Sequence, residues 1–266
     1  MRERGIDPAS ISGSGPGGRI VEADVLRASA GSGDPRRAPG DPRRAQSPLI
    51  PAPVGGVPCF SLRAAADVTS LVEVERQAAD EVQRACGEPL RFADFLLRAM
   101  GMALAECPHA NRVWQGPTHT ESSTADVALE AEGPGGRVDL VIRQADRLPL
   151  LELVRRRAGL TAAARAGKLP RQAGQAAAMS LCDLTEHPID ECTAVLVLPH
   201  TSALAAGRVA LRPAAFENRL CLRQTLSLSL TADGRALTPE TAAALLGRIV
   251  ELLEHPFFLL CERLRA

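Results

Sequence analysis

The stretch LSLTADGRALTPETAAALL, residues 228–246, decides the fold. Its first part continues the alternation of LCLRQTLSLSL, with leucines at 226, 228 and 230 set against Ser227, Ser229 and Thr231. That period of two marks a strand with one buried face. Its last part opens a helix: Thr238 is placed to cap it, Pro239 suits the first helical position, and Glu240 complements the helix dipole. Residues 233–237 are therefore a turn between a buried strand and the closing helix.

Working back from that unit, the pattern is α/β. CFSLRAAADV (59–68) alternates like a strand, and Asp67-Val68-Thr69 opens a helix to about Ala85. RFADFLLRAMGMALAECP (91–108) is an apolar helix ended by Pro108. TADVALEAE and RVDLVIRQA are strands joined by the turn GPGG, and PLLELVRRRAGLTAAARAGKL is a long amphipathic helix. AAMSLCDL, CTAVLVLP, ALAAGRVALRPA and LCLRQTLSLSL are expected as further strands.

The chain has 266 residues, enough for one substantial domain and a small one. Aromatics are 3%, with one Trp and no Tyr, so the core rests on Ala, Leu and Val, and base-stacking on single strands is excluded as a main function. Lys plus Arg equals Asp plus Glu at 31 each, which removes any global electrostatic case for a nucleic-acid or membrane partner. Seven cysteines form no CxxC pair and no Cys/His cluster at zinc-ligand spacing, so no metal is expected and they read as small buried hydrophobes of a reducing cytoplasm. No apolar run reaches the roughly 18 residues of a membrane span and no signal peptide is recognisable. The expectation is a cytoplasmic protein.

Composition divides the chain into a compact segment 1–28, a linker 29–56 and a domain 57–266. The linker repeats GDPRRAP as GDPRRAQ and ends in SPLIPAPVGG, a Pro/Gly/Arg-rich spacer that buries no core and is expected to be disordered.

These segments resemble the dihydrolipoamide acyltransferase family of 2-oxo acid dehydrogenase complexes. GIDPASISGSGPGGRIVEADV (5–25) is similar to the family's small helical peripheral subunit-binding domain. DVTSLVEVERQ, FADFLLRAMGMALAECPHANRVW, LVIRQADRLPLLEL, AARAGKLPRQAGQAAAMSLCDL, CTAVLVLPHTSALAAGRV and LLEHPFFLL follow in the order of its catalytic domain. The resemblance implies a chloramphenicol-acetyltransferase-like mixed β-sheet packed with helices, and coenzyme A or acetyl-CoA as substrate. It also implies a homotrimer with active sites between subunits, and dihydrolipoamide dehydrogenase as a partner gripped through Arg19. The subunit-binding segment reads as truncated, since the family's other gripping arginine would precede Met1. No lipoyl domain and no lipoyl-bearing lysine is recognisable.

The resemblance also implies where chemistry should sit. The family's turn reads Asp-His-Arg, two variable residues, Asp-Gly; here it reads Asp233, Gly234, Arg235, Ala236, Leu237, Thr238, Pro239. Glycine holds the place of the general-base histidine and Thr238 that of the second acidic residue. Loss of such a base costs about 10²–10⁴ in rate. The family's oxyanion-stabilising hydroxyl falls at or beside Ser180 and Cys182. Cys182, with His187 nearby in sequence, reads as a packed strand residue or as a nucleophile. His200 is the histidine best placed to line a substrate channel, whereas His109 reads as a turn residue, His119 as a loop residue and His255 as a helix C-terminal cation. Two functions follow. One is a stand-alone acyltransferase, with an alcohol of a polyketide (tetronate-type) intermediate as small-molecule acceptor; the other is a non-catalytic, dehydrogenase-binding paralogue.

Overall fold

A computed structural model describes residues 56–168, 176–216 and 218–260. The segment 1–28 with Arg19, and the linker through residue 55, lie outside these residues.

Among the described residues there are eight strands and five helices. Strand β1 (Cys59–Asp67) leads into α1 (Thr69–Cys86) and α2 (Phe92–Glu106). The strands β2 (Arg112–Gln115) and β3 (Thr118–Glu121) form a separate two-stranded ribbon. Next come β4 (Val127–Gly133), β5 (Gly136–Ile142) and α3 (Leu150–Arg165), then β6 (Met179–Asp183), β7 (Ser202–Phe216) and β8 (Arg219–Asp233). Helix α4 (Pro239–Glu254) and the single turn α5 (Phe257–Leu260) close the described chain.

The main sheet has the order β1-β8-β7-β6-β4-β5. It is mixed: β6 runs parallel to both β4 and β7, and the other pairings are antiparallel. Alternation sorts the side chains. Leu129, Leu140, Met179, Leu181, Leu204 and the leucines 226, 228 and 230 face the helices and share one core with Phe95, Leu97, Met100, Leu245 and Ile249. The other face is small and polar, carrying Ser180, Cys182, Ala203, Ala205, Ser229 and Thr231 in register. Few aromatics are needed because a one-sided sheet under closely packed helices fills with Leu and Ala.

Helix ends follow local chemistry. Thr238 caps α4, its hydroxyl accepting from the Thr241 N–H, with Pro239 in the first turn. The α1 start differs from a simple cap: Val68 holds the cap position, and Asp67 Oδ1 instead takes both the amide and the hydroxyl of Thr69 at 3.1 and 2.6 Å. Arg157, buried, ties α3 to α2 through Asp94 at 2.6 Å.

One expected strand is not one. CTAVLVLP keeps its alternation, with Cys192, Ala194 and Leu196 turned inward and Val195 and Val197 exposed, but makes no ladder. It lies as extended chain over the polar face, its inward residues packed on Ala203 and Ala205. The crossing begins at Gly207, where a β-carbon would lie 2.0 Å from the Asp190 carbonyl oxygen. The Arg208 N–H donates to Ile189 O at 2.7 Å there, and Asp190 takes the guanidinium groups of Arg208 and Arg212.

Candidate active site

The strand–turn–helix unit forms as read. Asp233 ends β8 fully buried, and its carboxylate is closed in on all sides. Oδ1 accepts the Arg235 N–H at 2.9 Å, Oδ2 accepts Nη2 of the same arginine at 2.6 Å, and Oδ2 also accepts Trp114 Nε1 at 3.0 Å. The Arg235 guanidinium lies over the Trp114 ring, 4.5 Å from its centroid, and His119 meets that ring edge-on. The β2–β3 ribbon therefore braces the turn, although nothing in the sequence reading assigned it that place. Thr201 adds to the brace by donating from Oγ1 to Arg112 O at 2.8 Å.

Gly234 sits at the apex. Its N–H donates to Pro58 O at 2.8 Å, and a β-carbon would stand 3.0 Å from that oxygen and 3.8 Å from Phe60 Cδ1. The segment entering β1 thus lies against the position that the resemblance assigned to the general-base histidine.

His200 is buried and both ring nitrogens are engaged: Nδ1 at 2.7 Å from Ala177 O, Nε2 at 3.0 Å from Asp139 Oδ2. His200 bridges β5 to the start of β7, with both ring nitrogens engaged by protein groups. Its hydrogen bond holds the Asp139 carboxyl below the usual range against the effect of burial.

On β6, Ser180 is fully buried and donates from Oγ to Glu130 Oε1 at 3.2 Å. Cys182 is half-buried and its thiol is pushed up to about 12, first by burial and then by the Glu130 charge and Cys192. It stays a thiol at neutral pH and is no thiolate nucleophile. His187 is exposed at the head of the crossing segment. Thr238 is spent on the cap. The structure therefore divides the expected residues into a turn group (Asp233, Gly234, Arg235) and a β6 group (Ser180, Cys182), with His200 tied into neither as a base.

A cavity of about 630 Å³ opens between β4, the end of β6 and α3, with Glu130 and Glu132 of β4, Asp183 at the end of β6, and Arg157, Thr161 and Arg165 of α3 among its lining residues. Among the described residues no cluster of His, Cys, Asp and Glu is arranged to hold a metal, and no helix is long and apolar enough to cross a membrane.

This mixed sheet with its helical layer is the architecture of acyltransferase catalytic cores. A Listeria monocytogenes protein described as a probable dihydrolipoamide acetyltransferase superposes with a TM-score of 0.71 at 21% identity, covering 79% of this chain and 88% of that one. The Azotobacter vinelandii dihydrolipoamide acetyltransferase, studied for the roles of a serine, a histidine and an asparagine in its mechanism, gives 0.69 at 25% identity over 77% and 85%. The model of the 2-oxoacid dehydrogenases acyltransferase catalytic domain matches residues 53–261, and that of the e3 binding domain matches residues 1–26. The chain belongs to the 2-oxoacid dehydrogenase acyltransferase family. The dihydrolipoyllysine-residue acetyltransferase component of the acetoin cleaving system of Bacillus subtilis is 28% identical over 95% of this chain and 66% of its own length. The pyruvate dehydrogenase counterpart of Zymomonas mobilis is 24% identical over 97% and 63%. The chain spans about two thirds of the length of these relatives.

Proposed function

We propose that the chain transfers acyl groups between coenzyme A and a small thiol or alcohol acceptor, working as a homotrimer. The observation that carries this reading is the acyltransferase sheet-and-helix frame, with a cavity of about 630 Å³ between β4, the end of β6 and α3, lined among others by Arg157, Arg165 and Asp183. Such a cavity is of the size that holds a small ligand. The relatives' names concern dihydrolipoyl-lysine, which favours a dihydrolipoyl thiol over the tetronate-type alcohol as acceptor. Positioning alone supplies a large part of such a barrier, so loss of one base slows the reaction rather than abolishing it. Incubation with acetyl-CoA and dihydrolipoamide tests the reading: release of CoA matched by S-acetyl product supports it, and no protein-dependent product removes it.

Gly234 favours a second reading, a non-catalytic subunit, because the Pro58 carbonyl leaves no room there for a side chain without a shift. On that reading the match of residues 1–26 to the e3 binding domain, with Arg19, would hold dihydrolipoamide dehydrogenase. Co-sedimentation with that enzyme, in the absence of acyl transfer, selects it.

A further inference from the structure

We propose that Cys182 and Cys192 are a modification site of their own, a thiol pair that closes reversibly to a disulfide and fastens the crossing segment to β6. No CxxC spacing announces the pair; the return of the chain over the sheet makes it. Cys182 projects from the polar face of β6, in register with Ala205 of β7. Cys192 is turned inward on the crossing segment, and both cysteines pack on Ala194, Ala203 and Ala205. Alanines of this kind let the segment settle close to the sheet, and each thiol is a hydrogen-bond neighbour of the other. Other cysteines are engaged elsewhere. The Cys86 thiol donates to Val82 O at 3.1 Å and that of Cys221 to Ala214 O at 3.7 Å. Cys59 stands near Asp233 and Arg235, and Cys107 near Glu106 and Arg248.

A small oxidant has a way in. A second cavity, of about 220 Å³, lies between β1, β8 and the head of the crossing segment, lined by Cys192, Ser227 and Ser229 and by the exposed Arg63–Glu191 ion pair. Cys192 lines that space and Cys182 is not among its lining residues, so Cys192 meets the oxidant first. The proton arrangement agrees. The contact between the two favours the thiolate of Cys192 and disfavours that of Cys182. Burial is the largest influence on each and raises both thiols, so closure is slow at neutral pH and quickens as pH rises.

With hydrogen peroxide as oxidant the chemistry balances. The Cys192 thiolate attacks one peroxide oxygen, the O–O bond breaks, and the departing hydroxide takes up the proton that Cys192 released. Cys192 is then a sulfenic acid. The Cys182 sulfur attacks Cys192 Sγ, the sulfur–oxygen bond breaks, and hydroxide leaves with the Cys182 proton as a second water. Two thiols have lost two electrons and one peroxide has become two waters. A small dithiol reopens the bond by thiol–disulfide exchange. The closed bond pins the segment close to where Asp190 already holds Arg208 and Arg212.

The test treats the full chain with hydrogen peroxide at neutral and at alkaline pH, blocks the remaining thiols, and maps the cysteines by peptide mass spectrometry. Amide hydrogen exchange is followed on the same samples. The expected result is a peptide pair joined through Cys182 and Cys192, lighter by two hydrogen atoms and formed faster in alkali. Dithiothreitol should undo it, and exchange at residues 189–198 should slow while it is closed. Cys182→Ala and Cys192→Ala should each lose the linked pair and the slowing, and Cys182→Ala should stop at a Cys192 sulfenic acid that dimedone traps. Absence of the linked pair at both pH values, pairing of either residue with another cysteine, or a linked pair that leaves exchange unchanged overturns the proposal. These readouts are masses and exchange rates, so they decide it whether or not the chain transfers acyl groups.

Discussion

At the scale of single residues, the turn after β8 has kept a structural role. Asp233 holds Arg235 and Trp114 together under the apex, a network of charge-assisted hydrogen bonds in a buried place. Asp233→Asn keeps the shape and removes the charge, and is expected to lower unfolding stability by about 1–3 kcal/mol, read by urea denaturation with Trp114, the chain's one tryptophan, as the fluorescent probe. The Asp139–His200 pair carries a pH dependence. The folded carboxyl lies below its unfolded value of about 3.9, so the unfolded chain binds the proton more readily. The contribution is complete above that value and is lost as pH falls through the lower, folded one. The stability advantage of wild type over Asp139→Asn should accordingly be constant near neutrality and vanish in stronger acid, as followed by denaturation at a series of pH values. The turn positions and β6 were legible in the sequence, because a strand–turn–helix pattern fixes where Asp233, Gly234 and Thr238 must stand. Glu130 was not. A glutamate alternating with core residues on a strand reads as solvent-facing, and its partners Arg137 and Ser180 come from other strands, 7 and 50 residues away.

At the scale of elements, alternation and helix-end chemistry made most of the sheet and all four long helices readable. Two places escaped. The β2–β3 ribbon is hidden because RVWQGPTHTE gives two strands of only four residues around a Gly-Pro turn, too short for a period to register. CTAVLVLP misleads in the opposite way: its alternation is real, but packing over the sheet produces it rather than a ladder. That crossing depends on Gly207. Gly207→Ala drives a methyl group to within 2.0 Å of Asp190 O unless the segment lifts, with an expected loss of about 1–3 kcal/mol. Hydrogen exchange should show new opening at residues 189–198 while β8 stays protected. Unchanged exchange in that segment would mean the crossing does not press on the sheet.

At the scale of the whole molecule, the described domain leaves a set of large apolar side chains uncovered. Leu211, Phe216, Leu220 and Leu222 stand out at the far end of the β7–β8 hairpin, with Val195, Val197 and Leu198 on the crossing segment. Leu211, Leu220 and Leu222 share one face of the hairpin by register, and exposed apolar side chains gathered in this way suit an association face, in keeping with the proposed trimer. Sedimentation should give three times the 28.1 kDa protomer mass, and the double change Leu220→Asp and Leu222→Asp should reduce it to the protomer with the far-UV spectrum unchanged. The central proposal, though, is chemical: this chain, with Gly234 at the apex of its turn, moves acyl groups. The most direct measurement is S-acetyl-dihydrolipoamide formed from acetyl-CoA by the wild-type protein, quantified chromatographically over a range of protein concentrations. The account predicts product that rises in proportion to protein and stops on heat denaturation. Product formed no faster than in buffer alone, at any protein concentration, would contradict it.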